Sequence, residues 1–485
     1  MTHRDVVPQR GWWRAIVTMA LLFAPTVLRA TGTVGADGYL ATRERADRIV
    51  APASLNAALA ALHARIPSFS RQTGFACSMC HYHFLQLTPF GRLFKLNGYT
   101  LTALQTIGQP GDTARGGSLK LSPMAPVAAM VVVSDTRTAK PQPGTQNNTA
   151  QFPQQFSVFL AGQLTPTVGA FTQLTYAASD ASLAIDNVDI RYASHTTFAN
   201  RDVLFGLTLH NNPTVQDVWN TVPAWSFPFV SSAVAPSPLA STLIDGALAQ
   251  QVVGFGAYSL FNNALYTELT AYRSAPQGGT VPLDSTAVNT TRSIIPYWRV
   301  ALQHMGESTY LMVGTYGLAA SLYPTGVVGP TNRYVDVAVD AQVEQKLGES
   351  MVIGRATLIH EQQTLDATFA ASESQNLKNN LSTARASVGF VPNLRWGANL
   401  GYFQTSGSSD TLLFAPAALS GSRTGSPNTS GLIGELTFNA WQNTRLGLQY
   451  VAYTKFNGAS TTYDVAAGRS AADNNTLYLY TWMAF

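Results

Sequence analysis

The stretch Arg333-Tyr334-Val335-Asp336-Val337-Ala338-Val339-Asp340-Ala341-Gln342-Val343-Glu344 alternates in polarity along its whole length. Side chains of a strand point to opposite faces with period two. Val335, Val337, Val339, Ala341 and Val343 therefore share one face, and Tyr334, Asp336, Ala338, Asp340, Gln342 and Glu344 share the other. One face suits lipid and the other suits water. The same texture, in segments of about ten residues or slightly more divided by Gly, Asn, Pro and Ser clusters, runs from Pro126 to the end of the chain. It predicts strands near 126–137, 154–165, 168–177, 183–194, 201–211, 247–261, 263–274, 295–307, 309–322, 333–346, 349–363, 381–391, 394–407, 430–441, 443–455 and 474–485. That is about sixteen, an even number, as single-chain outer-membrane barrels have.

Composition agrees. Only 12% of residues are charged, against about 25% in an average soluble protein, yet the mean hydropathy is +0.05. Beyond residue 36 no run of 18 apolar residues occurs. In lipid every backbone polar group must be paired within the protein, so only helices and closed barrels span. Tight links such as Asn262-Asn263, Gly306-Glu307-Ser308, Gly348-Glu349, Val391-Pro392-Asn393 and Gln442-Asn443 alternate with long ones at 211–246, 274–294, 364–380, 407–429 and 456–473. Short turns belong to the periplasmic end and long loops face outward. Leu477, Leu479 and Met483 alternate up to Phe485, a pattern similar to the C-terminal strand that outer-membrane assembly machinery reads. A soluble β-sandwich is the weaker reading, because strands this numerous and regular are unusual there.

The first residues predict export. Arg4, Arg10 and Arg14 precede an apolar run at 15–28, and Val34-Gly35-Ala36 offers small residues for cleavage. This pattern is that of a secretory signal peptide over 1–36. Without it the chain holds 26 Lys+Arg and 25 Asp+Glu, a net charge of +1. A nucleic-acid partner has no support in that balance. Residues 37–125 carry a net +5 and the remainder a net −4, so a basic N-terminal domain is complementary to an acidic barrel lumen.

That domain, 37–125, reads as helical and irregular, with an Ala- and Leu-rich stretch over 41–66. It contains Cys77-Ser78-Met79-Cys80-His81, and these are the only cysteines of the chain. C-x-x-C-H is the attachment string of a c-type haem, in which both thiols bind the macrocycle and the histidine is the proximal iron ligand. Zinc needs a fuller set of ligands, and a thioredoxin-like site needs a βαβ context that is missing. One covalent haem c is expected, held by Cys77, Cys80 and His81.

The run from Ile66-Pro67-Ser68-Phe69 through Gly74-Phe75-Ala76 into the cysteine motif, continuing in Pro89-Phe90-Gly91-Arg92-Leu93-Phe94-Lys95-Leu96-Asn97-Gly98-Tyr99, resembles the fused monohaem cytochrome-porins of iron-oxidising bacteria. The length and the barrel resemble in particular the outer-membrane iron oxidases of acidophilic Acidithiobacillus. The resemblance implies a mainly β protein in which a small helical cytochrome domain precedes a porin-like barrel over 126–485 and plugs its lumen. It implies oxidation of extracellular Fe(II), with the electron leaving through the haem to a periplasmic cytochrome c or a rusticyanin-like blue-copper protein, an iron:rusticyanin reductase activity.

Fe(II) in acid is a weak reductant, so the haem needs a high potential, which methionine ligation favours. Met130 shares strand parity with Ser134 and Thr136 on the expected lumen face and is the first choice of distal ligand, with Met124 second and His83 third. Met79, between the cysteines, is a poor candidate. Arg92 or Arg71 is expected at a haem propionate, and Phe90, Phe94 and Tyr99 along the ring. Asp336, Asp340 and Glu344, with Glu361, form an inward acidic row that can attract cations or pair with the plug. His210 and His360 would be cationic in acid and poor ligands. Two other readings use the same parts: a conduit exporting electrons to an external acceptor, and a diffusion porin gated by its haem domain.

Overall fold

The computed structural model describes residues 68–83, 85–101, 126–143, 147–178, 181–213, 215–274, 290–324, 329–464 and 468–485. The expected signal peptide, the stretch 41–66 and Met124 lie outside them.

Two parts follow one another in the chain. The first is a compact segment of α1 (Ser68–Thr73), α2 (Cys77–Cys80), β1 (His81–His83), β2 (Gln86–Leu87) and α3 (Pro89–Leu96). Thr88 caps α3, its hydroxyl accepting from Gly91 N at 3.1 Å, with Pro89 in the first turn. Both features are those of a helix start. Gly91 is required by close approach: a Cβ there would stand 2.3 Å from the carbonyl oxygen of Cys80.

The second part is an antiparallel sheet of β3 (Val127–Thr138), β4 (Thr149–Thr165), β5 (Val168–Ala177), β6 (Ser182–Phe198), β7 (Arg201–His210), β8 (Val252–Phe261), β9 (Leu265–Ser274), β10 (Thr290–Thr291), β11 (Ile295–Met305), β12 (Thr309–Tyr323), β13 (Asn332–Leu347), β14 (Ser350–Thr364), β15 (Lys378–Val391), β16 (Trp396–Gly407), β17 (Thr429–Trp441), β18 (Thr444–Lys455) and β19 (Thr476–Ala484). β10 and β11 pair with the same strand, β12, and form one stave. β19 pairs with β3 and β9 with β11, so sixteen staves close into a barrel. Each expected strand overlaps one stave. The stave expected from 247 begins at Val252 because residues 243–250 turn inside the lumen.

Parity decides the faces as the sequence predicts. Asp336, Ala338, Asp340, Gln342 and Glu344 are buried inward, while Val337 is exposed, as are Leu269, Leu302, Leu400 and Leu436 on other staves. Exposed Phe198, Trp396, Trp441 and Phe485 sit at the short-turn end, where a barrel carries an aromatic girdle. A closed barrel with this apolar outside belongs in the outer membrane.

Both parts share the lumen. Ser68 Oγ donates to Ala161 O (2.7 Å), Tyr82 Oη to Glu344 (2.9 Å), Tyr99 Oη to Asp189 (2.5 Å), and Leu96 O accepts from Tyr258. Ala161, Glu344 and Tyr258 lie toward the short-turn end of their strands and Asp189 near the middle of its own, so the α1–α3 segment fills mainly that half.

The other half is filled by an element expected outside. Residues 211–251 fold back into the barrel rather than outward. Val215, Val218, Trp219, Val222, Ile244 and Leu248 are almost fully buried, apolar surface that water would penalise on an external loop. Asp217 collects the backbone N–H groups of Trp219, Thr221 and Val222. Leu243 N donates to Glu361 (2.5 Å) and Ile244 N to Asp336 (2.9 Å).

At the long-loop end, the Asp410 carboxylate accepts from Ser374 Oγ, Gln375 N, Asn376 N, Asn379 Nδ2, Leu412 N and Leu413 N at 2.6–3.2 Å. Burial works against its charge, but these donors outweigh it and hold the carboxyl well below the usual range. A depressed folded pKa contributes stability that is complete above the ordinary carboxylate value and lost only as pH falls through the lowered one. The knot joining 374–379 to 410–413 is therefore expected to survive at pH 3. Asp410→Asn should cost about 2 kcal/mol locally and raise the rate of proteolytic nicking near 410 roughly tenfold or more at pH 3 and pH 7 alike. Equal nicking rates in variant and wild type would refute this role.

Candidate haem site

One cavity of about 490 Å³ lies where the α1–α3 segment, the barrel wall and the inward loop meet. Its size is that of a cofactor pocket. Cys77, Cys80 and His81 all line it. A single helical turn, α2, carries the two cysteines three residues apart, a spacing that puts side chains on one face. Ser78 and Met79, between them, do not line the cavity, and Met79 is exposed.

Burial sets the state of these groups. It raises the Cys77 thiol, and it pushes Cys80 up to about 12 together with the neighbouring Cys77. Both cysteines are unbridged thiols, poorly suited to the thiolate exchange of a thioredoxin-like site. Burial, then the charge of Arg445, lowers His81 to about 4, so above that pH its imidazole is neutral, the form that binds metal.

The wall around the motif is apolar and aromatic. Phe69 and Phe94 meet edge to face at 5.2 Å, Phe69 stacks on Tyr99 at 5.5 Å, and Phe75 meets Phe90 edge to face at 5.6 Å. Of these, Phe90 stays behind the wall, while the other four line the cavity with Phe159, Phe171 and Trp482. Met130 lines it too, from the inward face of β3, where it also packs with Val132, Tyr480 and Trp482. Two cysteines and a histidine in C-x-x-C-H order, a thioether on the same cavity and an aromatic lining make a donor set and surface that fit a covalently bound haem.

Other expected residues lie elsewhere. His83 is buried but turns away: a Cβ at Gly397 would stand 2.2 Å from its Nε2, and it does not line the cavity. Arg92 is also turned away, because it is committed to the barrel. Its Nη1 donates to Glu344 Oε1 at 2.6 Å and to Leu87 O at 2.9 Å, Nη2 reaches Oε2 at 3.2 Å, and the guanidinium lies 4.1 Å from the centre of the Tyr310 ring. Arg71 donates to Val127 O. The expectation that Arg92 neutralises a propionate is thus corrected: a buried carboxylate on the wall holds it.

The acidic row serves the packing. Glu344 binds Arg92, Asp340 pairs with Arg299, and Asp336 and Glu361 hold the inward loop. His210 is tied to Tyr272 and Gln216, and His360 is exposed, outside the inward row. Among the described residues no group of three or more His, Cys, Asp or Glu is placed to hold a metal ion.

Several lining residues escape sequence reasoning, Phe159, Phe171, Trp482 and Lys95 among them. Trp482 was readable, since parity along β19 puts it inward with Tyr478 and Tyr480. Lys95 was not: five of the eight α3 residues are buried, so helical periodicity does not single it out.

No protein-family model and no curated protein sequence matches the chain. Among solved structures it is similar to the outer-membrane channel DcaP of Acinetobacter baumannii (11% identity, 74% of this chain and 96% of that one, TM-score 0.42). It is also similar to the anion-selective porin of Comamonas acidovorans (11%, 74% and 98%, 0.41) and to OmpF of Salmonella typhi in complex with daunomycin (10%, 74% and 97%, 0.40).

Proposed function

We propose that this chain is an outer-membrane c-type cytochrome, an oxidoreductase that takes electrons from extracellular Fe(II) and delivers them to a periplasmic cytochrome c or blue-copper protein. The observation that carries the proposal is that the only two cysteines of the chain and the adjoining histidine line one aromatic cavity inside a barrel lumen. A haem bound there would supply a one-electron couple. Cys77 and Cys80 would hold it, His81 would present its imidazole, and Met130 would present the thioether that favours a high potential. Phe69, Phe75, Phe94 and Trp482 keep water from the site, and Arg92 on Glu344 fixes the segment to the wall. The proposed step at the outer face is outer-sphere transfer from hydrated Fe(II), which needs no built metal site.

The purified protein, titrated at pH 2–3, is expected to show a high midpoint potential and rapid reduction by Fe(II), followed by the α-band. A strongly negative potential would instead indicate electron export. Met130→His is expected to lower the midpoint by a sizeable part of the ~0.8 V that axial ligands span and to stop reduction by Fe(II). An unchanged potential would remove Met130 from the site.

A haem-gated diffusion porin is the second reading, favoured by the stave number, since barrels of 16–18 strands leave an aqueous channel. The α1–α3 segment and the 211–251 loop occupy that channel here. Low single-channel conductance in planar bilayers supports the cytochrome, and porin-sized steps support the pore.

A further inference from the structure

Lys95 is a buried cation on the cavity wall with no ion-pair partner among the described residues. Its side chain lines the cavity and is 8% exposed. Nζ donates to the backbone oxygens of Val215 and, at 3.2 Å, Asp217, and stands 5.6 Å from the centre of the Trp225 ring. An ammonium has three donors, and these contacts use two. Among the described residues no carboxylate lies within ion-pair reach of it. Arg92, Arg191 and Arg299 each have one, at Glu344, Asp189 and Asp340.

The acids near Lys95 are otherwise engaged. Asp217 serves three backbone N–H groups, with Arg299 at 3.7 Å, Asp189 pairs with Arg191 at 2.7 Å and accepts from Tyr99, and Glu268 accepts from Tyr266 (2.9 Å) and Thr270 (3.1 Å). Gln173, Asn187 and Asn212 add polar groups to a cavity lining that is otherwise largely apolar. Burial, then Arg191, lowers the ammonium to about 8, so it remains cationic in acid. A buried cation persists only where an anion or strong dipoles repay its desolvation.

Resting on the haem reading above, we propose that Lys95 receives a carboxylate of the bound group, a haem propionate, and that its charge raises the haem potential. The Lys95 side of the cavity is then the carboxylate side, and the cysteines, His81 and Met130 hold the macrocycle. This assigns to Lys95 the role that sequence reasoning gave Arg92 or Arg71.

The test uses the full-length protein in outer membranes, with haem content from the pyridine haemochrome and attachment from the intact mass. Lys95→Met and Lys95→Gln are expected to shift the redox equilibrium about tenfold toward the oxidised form, about 59 mV for one electron. Lys95→Arg should stay near wild type, and Lys346→Met, on an exposed lysine, should not move it. A carboxylate paired with a buried cation stays ionised, so the wild-type potential should be flat from pH 4 to 7.

Loaded Lys95→Met and Lys95→Gln proteins with unchanged potentials overturn the inference while leaving the haem reading intact. A wild-type potential that slopes with pH through this range also overturns it. If neither neutral variant loads haem, loading of Lys95→Arg supports the charge, and its failure reduces Lys95 to packing. Absence of haem from the wild type defeats the earlier reading instead.

Discussion

A chain carrying Cys77→Ser and Cys80→Ser is expected to reach the outer membrane as a folded barrel, carry no covalent haem and transfer no electrons from Fe(II). The barrel should survive because its sixteen staves pair without help from the motif, and the two side chains face a cavity rather than a packed interface. The chemistry should vanish because each thioether needs its own sulfur. Single variants are informative beside the double one. Each should retain at most one thioether and load little haem, whereas His81→Ala should keep attachment sites and lose the proximal ligand. The measurements are the intact mass, the α-band after dithionite, and heat-modifiable migration as the sign of a folded barrel. Full Fe(II)-dependent electron transfer by the folded double variant would sink the proposed function outright.

The second large effect concerns the anchor of the α1–α3 segment. Arg92 and Glu344 are 4% and 2% exposed at their side chains and meet at 2.6 Å. Removing one member of such a pair leaves the other charge buried and unpaired, at a cost of about 3–5 kcal/mol. Arg92→Met is therefore expected to loosen the segment and open part of the lumen, with ion conductance rising in planar bilayers and protease reaching residues 85–101 in vesicles. Among the described residues Glu344 would keep Tyr82 and Gln342 as hydrogen-bond donors. Replacing both partners, Arg92→Met with Glu344→Gln, should recover most of the loss, since the penalty lies in the unpaired charge. A double variant as leaky as the single one would show that Arg92 acts through its packing on Tyr310 instead.

The two effects separate chemistry from architecture. Loss of the cysteines should abolish electron transfer with conductance unchanged. Loss of Arg92 should change conductance first and the haem spectrum only as far as the cavity wall moves.

The barrel was almost wholly legible in the sequence, for a physical reason. A stave has one lipid face and one interior face, so each residue reports its side through period two, as 333–344 does. Met130 was placed inward by the same rule. The cysteine motif was legible because C-x-x-C-H is a short local string that reads as haem attachment without any tertiary information.

What tertiary structure alone decided is where the polar and charged groups of the lumen point. Residues 211–251 have no period that distinguishes an outer loop from an inner one, and burial of Trp219, Val222 and Ile244 against the wall settles it. Arg92 and Lys95, three residues apart on one short helix, are equivalent cations in sequence. The wall gives Glu344 to the first and backbone oxygens to the second, because pairing of buried charges depends on which strand residue stands opposite, a long-range fact that local sequence does not carry.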